Sequence, residues 1–168
     1  MPEITTPREL FTHELGDILY VERQLASATL PQLIGEVKDE EFKAGLEKHL
    51  GETKQHVKNV EQVFQLLGQE AKAEKCIAFE GLKDEHAELV EDTSADLIDL
   101  VDLGAAARTE NYEIAAYEGL RRMAKALGEN EAVALLDENL QQEKETLREV
   151  EKIATRVSNE SSKEQAPA

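Results

Sequence analysis

Tryptophan is missing from this chain, cysteine occurs once, and the aromatic set amounts to four phenylalanines and three tyrosines. Each scarcity excludes something. With a single cysteine, Cys76, there is no internal disulfide and no zinc cluster of the CxxC type, and Cys76 reads as a small residue near a helix entry. Cationic side chains are scarce beside acidic ones, 19 against 36, and the formal net charge of -17 makes direct contact with nucleic acid or an anionic membrane unfavourable. Long apolar runs are absent as well. No stretch approaches the roughly 20 apolar residues of a membrane span, and MPEITTPREL has neither the basic end nor the apolar run of a signal peptide, so the expectation is a soluble, cytoplasmic protein.

What is present is helical patterning. A length of 168 residues with 40% apolar residues supports one core. Thr6, Pro7 and Glu9 form a helix-start signal, because a Thr cap and a Glu three residues later satisfy free amides and proline fits the first turn. The first long helix is expected to run to Leu33 or Ile34, with Pro31 kinking its last turn. A second, capped by Asp39, runs to Leu67 and ends at Gly68; a third begins near Asp96 and stops at Gly128; a fourth, capped by Asn130, lasts to Val157. Residues 69–95 form a crossover with its own short helix around FEGLKDEHAELVE. Four long helices with two short turns and one long connection predict an all-α four-helix bundle over residues 1–157, followed by a disordered tail at 158–168.

Alternating three- and four-residue steps mark the inward face of each helix. The steps give Phe11, Leu15, Ile18, Glu22, Leu25 and Thr29 on the first helix. On the second they give Phe42, Leu46, His49, Thr53, His56 and Val60, with Glu52 beside that face. The third helix shows Leu103, Ala106, Glu110, Glu113, Tyr117 and Leu120. The fourth shows Val133, Leu136, Leu140, Glu143, Leu147 and Val150, apolar but for Glu143. Height along the bundle supplies an independent check. Glu22 and Glu52 stand 30 residues apart about Val37 in the first turn, and Glu113 and Glu143 stand 30 apart about Gly128 in the second. Each hairpin is thereby expected to bring one glutamate per helix to the same level.

Burying four carboxylates together is costly, and none of these faces carries a Lys or Arg. Protonating several of them would need strongly raised pKa values, whereas two divalent cations would cancel the four charges. Oxygen donors with imidazole suit iron or manganese, and one carboxylate can bridge two ions about 3.5 to 4 Å apart. Glu22, Glu52, Glu113 and Glu143 are the candidate ligands. Glu110 and His56 remain open between ligand and bystander, His49 reads as a core or supporting imidazole, and Tyr117, one turn from Glu113, is the tyrosine best placed to support the centre rather than only to pack. His13 and His86 read as surface groups.

The stretches LGDILYVERQL, EKHLGETKQHVKNVEQVFQLLG, ENYEIAAY and LLDENLQQEKETL together resemble the YciE/YciF family of ferritin-like stress proteins, over nearly the whole chain. ENYEIAAY is also similar to the Glu-x-x-Glu stretch of rubrerythrins, whose two acids ligate iron. The resemblance implies a ferritin-like bundle with a di-metal centre, an association with stress responses and a homodimer. It places Glu22, Glu52, Glu110, Glu113 and Glu143 at the carboxylate positions and His56 as the nearest imidazole. Two departures stand out: Glu52 to His56 is one residue longer than Glu-x-x-His, and the fourth helix has Thr146 and Leu147 where a further ligand would stand. Peroxide reduction or ferrous-iron oxidation would be the corresponding activity, and with no rubredoxin-type cysteine pairs its electrons would come from a partner protein. The alternative is a non-enzymatic dimeric bundle whose surface binds a partner.

Overall fold

The computed structural model describes residues 3–164, and it is helical throughout. The expected start is present: Thr6 accepts from the Glu9 amide, and the Glu9 side chain accepts in return from the Thr6 backbone, opening α1 (Pro7–Gln24). A five-residue π turn, Leu25–Thr29, follows, in which the Leu30 amide reaches back five residues to the Leu25 carbonyl. α2 (Leu30–Glu36) then carries Pro31 in its first turn. The disturbance expected at Pro31 is absorbed upstream, as an inserted residue in the helix ladder rather than a frayed end.

α3 (Glu40–Leu66) is capped by Asp39, whose carboxylate accepts from the Phe42 amide, and it ends before Gly68 in the left-handed conformation. The crossover holds α4 (Ile77–Glu91), capped by the Cys76 sulfur. α5 (Ile98–Leu127) ends on left-handed Gly128. α6 (Asn130–Glu164) runs past Val157, the point at which polar composition suggests a disordered tail. Ser158 and Ser162 lie within its last turns, joined by a side-chain bond from the Ser162 hydroxyl to the Ser158 carbonyl. Residues 165–168 lie outside the described residues.

Around the bundle α1 packs on α3, α3 on α6, α6 on α5 and α5 on α1, while α4 lies against α5. This is the four-helix bundle with a fifth short helix in its single long connection, and among the described residues no strand occurs. Phe11, Leu15, Phe42, Phe64, Leu103, Leu136 and Leu140 anchor the core. The inward face of α6 differs from the expected seam. Val133 and Leu147 are half-buried, while Ala132, Asn139, Thr146 and Ile153 are buried beside Leu136, Leu140, Glu143 and Val150. The face is more polar than alternating steps indicate, and the polar members are those that meet the site.

One close approach ties the crossover to the bundle. The Glu74 amide donates to the Gly16 carbonyl at 2.9 Å, and a Cβ at Gly16 would lie 2.8 Å from the Lys72 carbonyl oxygen. Gly51 on α3 is exposed with open space around it. Thermal denaturation of two variants separates these roles. Gly51→Ala is expected to stabilise by up to about 1 kcal/mol, the helix preference of alanine over glycine. Gly16→Ala is expected to destabilise by about 1–3 kcal/mol in spite of the same preference, because the crossover backbone must move.

Candidate metal centre

Buried polar residues gather at one level of the bundle, where each long helix contributes at least one. Glu22 comes from α1, His49 and His56 from α3, Glu110 and Glu113 from α5, and Glu143 from α6, and all six are buried. The two histidines stand two turns apart on α3, so both rings meet the interior with centroids 6.3 Å apart. His56 Nδ1 lies 2.9 Å from Glu143 Oε1 and 3.3 Å from Glu22 Oε1. His49 Nε2 lies 3.3 Å from Glu110 Oε1 and 3.9 Å from Glu143 Oε2.

These contacts divide into two donor groups, His49, Glu110, Glu113 and Glu143 in one and Glu22, His56 and Glu143 in the other. Within each group the donor atoms lie within 4.8 Å of one another. Glu143 belongs to both. No Lys or Arg is among the described buried residues. Both oxygens of Glu113 and of Glu143, one oxygen each of Glu22 and Glu110, and His56 Nδ1 are buried without a hydrogen-bond partner. Outside these donors only Glu52 Oε2 and Asp102 Oδ2 are orphaned among the described residues, and since buried polar atoms are almost always satisfied, so many orphans at one level fit a cation better than a finished protein core.

A surrounding layer orients the donors. Gln142 Oε1 lies 2.7 Å from His56 Nε2, and this bond leaves Nδ1 to face the carboxylates. Thr146 Oγ1 holds His49 Nδ1 at 3.2 Å, leaving Nε2 for Glu110. Tyr117 donates to Glu22 Oε1 and accepts from Asn139 Nδ2 at 2.9 Å. Asn59 and Gln55 extend this chain to the surface of α3.

The electrostatics follow from burial and from this crowding. Burial pushes Glu110 and Glu113 well above the usual carboxylate range, and the Glu143 charge adds to it in both cases. Glu22 is raised too, by burial acting against the attraction of His56. Burial alone would raise Glu143, yet the close His56 imidazole, 2.9 Å from its Oε1, and that of His49 hold it below the usual range. Burial opposes the charge on His56, but Glu22 and Glu143 outweigh it and lift the imidazole to about 11. Without a cation, burial thus favours the neutral form of Glu110 and Glu113, while the attraction of Glu22 and Glu143 favours charge on His56.

The sequence expectations fare unevenly. Glu22, His56, Glu110, Glu113 and Glu143 are brought together. Glu52 belongs to neither donor group; its side chain is 19% exposed and lies 3.8 Å from both Lys48 Nζ and His49 Nδ1. The neighbouring His49 and Lys48 hold its carboxyl below the usual range, against the effect of burial. Equal height about the first turn therefore does not bring Glu52 to the level face, because it points to the flank that Lys48 occupies. His49, read as supporting, instead places Nε2 in a donor group. Its spacing of seven from His56 was the available signal. His86 is not a free surface group: its Nε2 lies 2.7 Å from buried Asp102.

A family model described as Domain of unknown function (DUF892) matches residues 6–163. The chain belongs to this family. Protein YciF of Escherichia coli (strain K12) is 35% identical over 143 residues, covering 84% of this chain and 86% of that protein. The crystal structure of the E. coli stress protein YciF superposes with a TM-score of 0.86 at 33% identity, covering 93% of this chain and 99% of that one. A Rhodopseudomonas palustris protein solved as "YcfI, a putative structural protein" gives 0.85 at 33% identity, covering 89% and 96%. A third structure, from Xanthomonas campestris, shares the fold at 22% identity and a TM-score of 0.74. This DUF892 member is thus a YciF-like bundle with a buried histidine and glutamate cluster.

The protonation pattern sets a pH dependence for the metal-free protein. His56 has a folded-state value near 11 against 6.5 unfolded, so its contribution is complete below about pH 6.5 and is lost as pH rises through about 11. Glu110 and Glu113, raised in the fold, act in the same sense above their unfolded value of 4.5. Glu143 acts oppositely, its contribution being lost as the pH falls below that value. The melting temperature of chelator-treated protein is expected to fall between roughly pH 6 and pH 9. His56→Gln should flatten that fall, measured as melting temperature against pH for both proteins.

Proposed function

We propose that this chain is a carboxylate-bridged di-metal protein, taking two divalent ions of iron or manganese and acting on peroxide or on ferrous iron. The observation that carries the reading is the pair of donor groups sharing Glu143, with their buried oxygens lacking hydrogen-bond partners. Glu22, His56 and Glu143 would hold one ion, and His49, Glu110, Glu113 and Glu143 the other. The donors are carboxylate oxygens with one imidazole for each position, the set that iron and manganese favour. Glu52, though expected as a ligand, has no place in this set.

Bound there, such ions would supply one electron each toward a peroxide O–O bond, the peroxide and two protons leaving as two waters; where ferrous iron is the substrate, it would give up its electrons to the same peroxide by way of the centre. The chain's own residues supply the rest. Four carboxylates neutralise four positive charges, Gln142 and Thr146 fix the imidazoles, and Tyr117 with Asn139 sets the orientation of Glu22. Cys76, the one cysteine, is buried in the α4 cap against Tyr112, so a redox partner protein would deliver electrons.

A second reading is favoured by the structural-protein name of the R. palustris relative: a homodimeric, non-enzymatic stress bundle in which the His56 and Glu143 pair alone settles the core.

Metal analysis after anaerobic reconstitution with ferrous iron decides between them. The di-metal reading expects close to two ions per chain and loss of both in Glu143→Ala. Gln142→Ala should retain the fold and weaken metal affinity by about 10- to 100-fold. Ligands must shed their protons, so loading should fall steeply as pH drops from about 7 to 5. No bound metal in the reconstituted wild type, with a dimer mass by sedimentation, would instead support the second reading.

A further inference from the structure

Beside the cluster lies a cleft of about 400 Å³, within the range of small-molecule sites. Its walls come from the π turn and from residues of all six helices, with Leu25, Leu30, Phe42, Leu46, Phe79 and Ile153 among the buried lining residues. At its inner end stand His49, Glu110 and Thr146, the only buried polar side chains that line it. Glu110 Oε2 is buried and has no hydrogen-bond partner. The π turn contributes Leu25, Ala28 and Thr29 to the lining. Such an inserted turn often marks a functional position, and here it places the wall of a cleft one turn after Glu22.

Neither hydrogen peroxide nor a metal ion needs an apolar chamber of this size. We infer that the cleft binds a neutral amphipathic organic molecule, an unbranched apolar body with one hydroxyl or hydroperoxyl head that donates to Glu110. The head follows from the floor: an O–H group can satisfy the unpaired Glu110 oxygen. An anionic head is disfavoured, since Glu36, Asp84 and Glu149 line the rim against Lys83. The body follows from the walls. This binding goes beyond the di-metal reading and does not require a metal.

Calorimetric titration of the metal-free full chain with 1-hexanol, 1-octanol and 1-decanol tests it, with octanoate as the anionic comparison. Saturable binding is expected at one site per chain, tightening about fourfold per added methylene. Octanoate should bind at least about tenfold more weakly than 1-octanol. Ala106→Phe, in the wall, and Thr29→Trp, in the half-buried π turn, should each weaken 1-octanol at least about tenfold with helical content unchanged. Two variants on different helices keep the test sound if one misfolds. Absence of saturable binding, octanoate binding as tightly as 1-octanol, or wild-type affinity in the folded variants would overturn the inference. Metal content is measured on the same preparations. Metal uptake without alkanol binding removes the cleft reading alone, and alkanol binding without metal uptake removes the di-metal reading alone.

Discussion

Negative charge placed where water cannot reach it is the constraint on which the rest of this structure depends. Four glutamates, Glu22, Glu110, Glu113 and Glu143, lie in the middle of a helical bundle whose described interior holds no Lys or Arg. Left ionised, each would cost several kcal/mol in lost hydration, and their mutual repulsion would add to it. The protein answers in layers. Two imidazoles sit among the carboxylates, amide and hydroxyl side chains fix those imidazoles, and burial favours the protonated form of Glu110 and Glu113. Folding and the proposed cation binding would thus draw on the same groups, since those groups must shed their protons to take a metal.

The arrangement also explains which parts of α6 are polar. Asn139 and Thr146 look like interruptions of an apolar face, yet each serves a neighbour: Asn139 donates to Tyr117, and Thr146 bonds His49. Thr146 touches a candidate donor directly, and Asn139 reaches one through Tyr117. Packing and site chemistry therefore meet on one helix, with Leu136 and Leu140 on one side of Glu143 and Val150 and Ile153 on the other.

Most of the fold was legible in the sequence because it rests on local signals. Thr6 with Glu9, Asp39, Gly68 and Gly128 mark helix ends through hydrogen bonds and backbone conformation that need no tertiary context. The π turn was not legible, since Pro31 announces a disturbance without saying where the ladder will absorb it. Nor was the continuation of α6 to Glu164, where polar composition hides a helix. Among site residues, those on the inward faces were legible by periodicity: Glu22, His56, Glu113 and Glu143. Glu52 was misplaced because height along a helix leaves the direction around its axis open. His49 was undervalued for a related reason. Which ring nitrogen faces a carboxylate depends on Thr146, a residue nearly a hundred positions away.

Glu143 is a member of both donor groups, and this single fact makes them one thermodynamic unit. Whatever occupies the first group changes the position and charge of a carboxylate that the second group also uses. If ions occupy both groups, occupancy of either would alter the affinity of the other by the same factor in both directions, as linkage requires. Were two ions to fill these groups as proposed, they would not bind as independent sites of fixed affinity but as a pair whose filling is cooperative in one sense or the other.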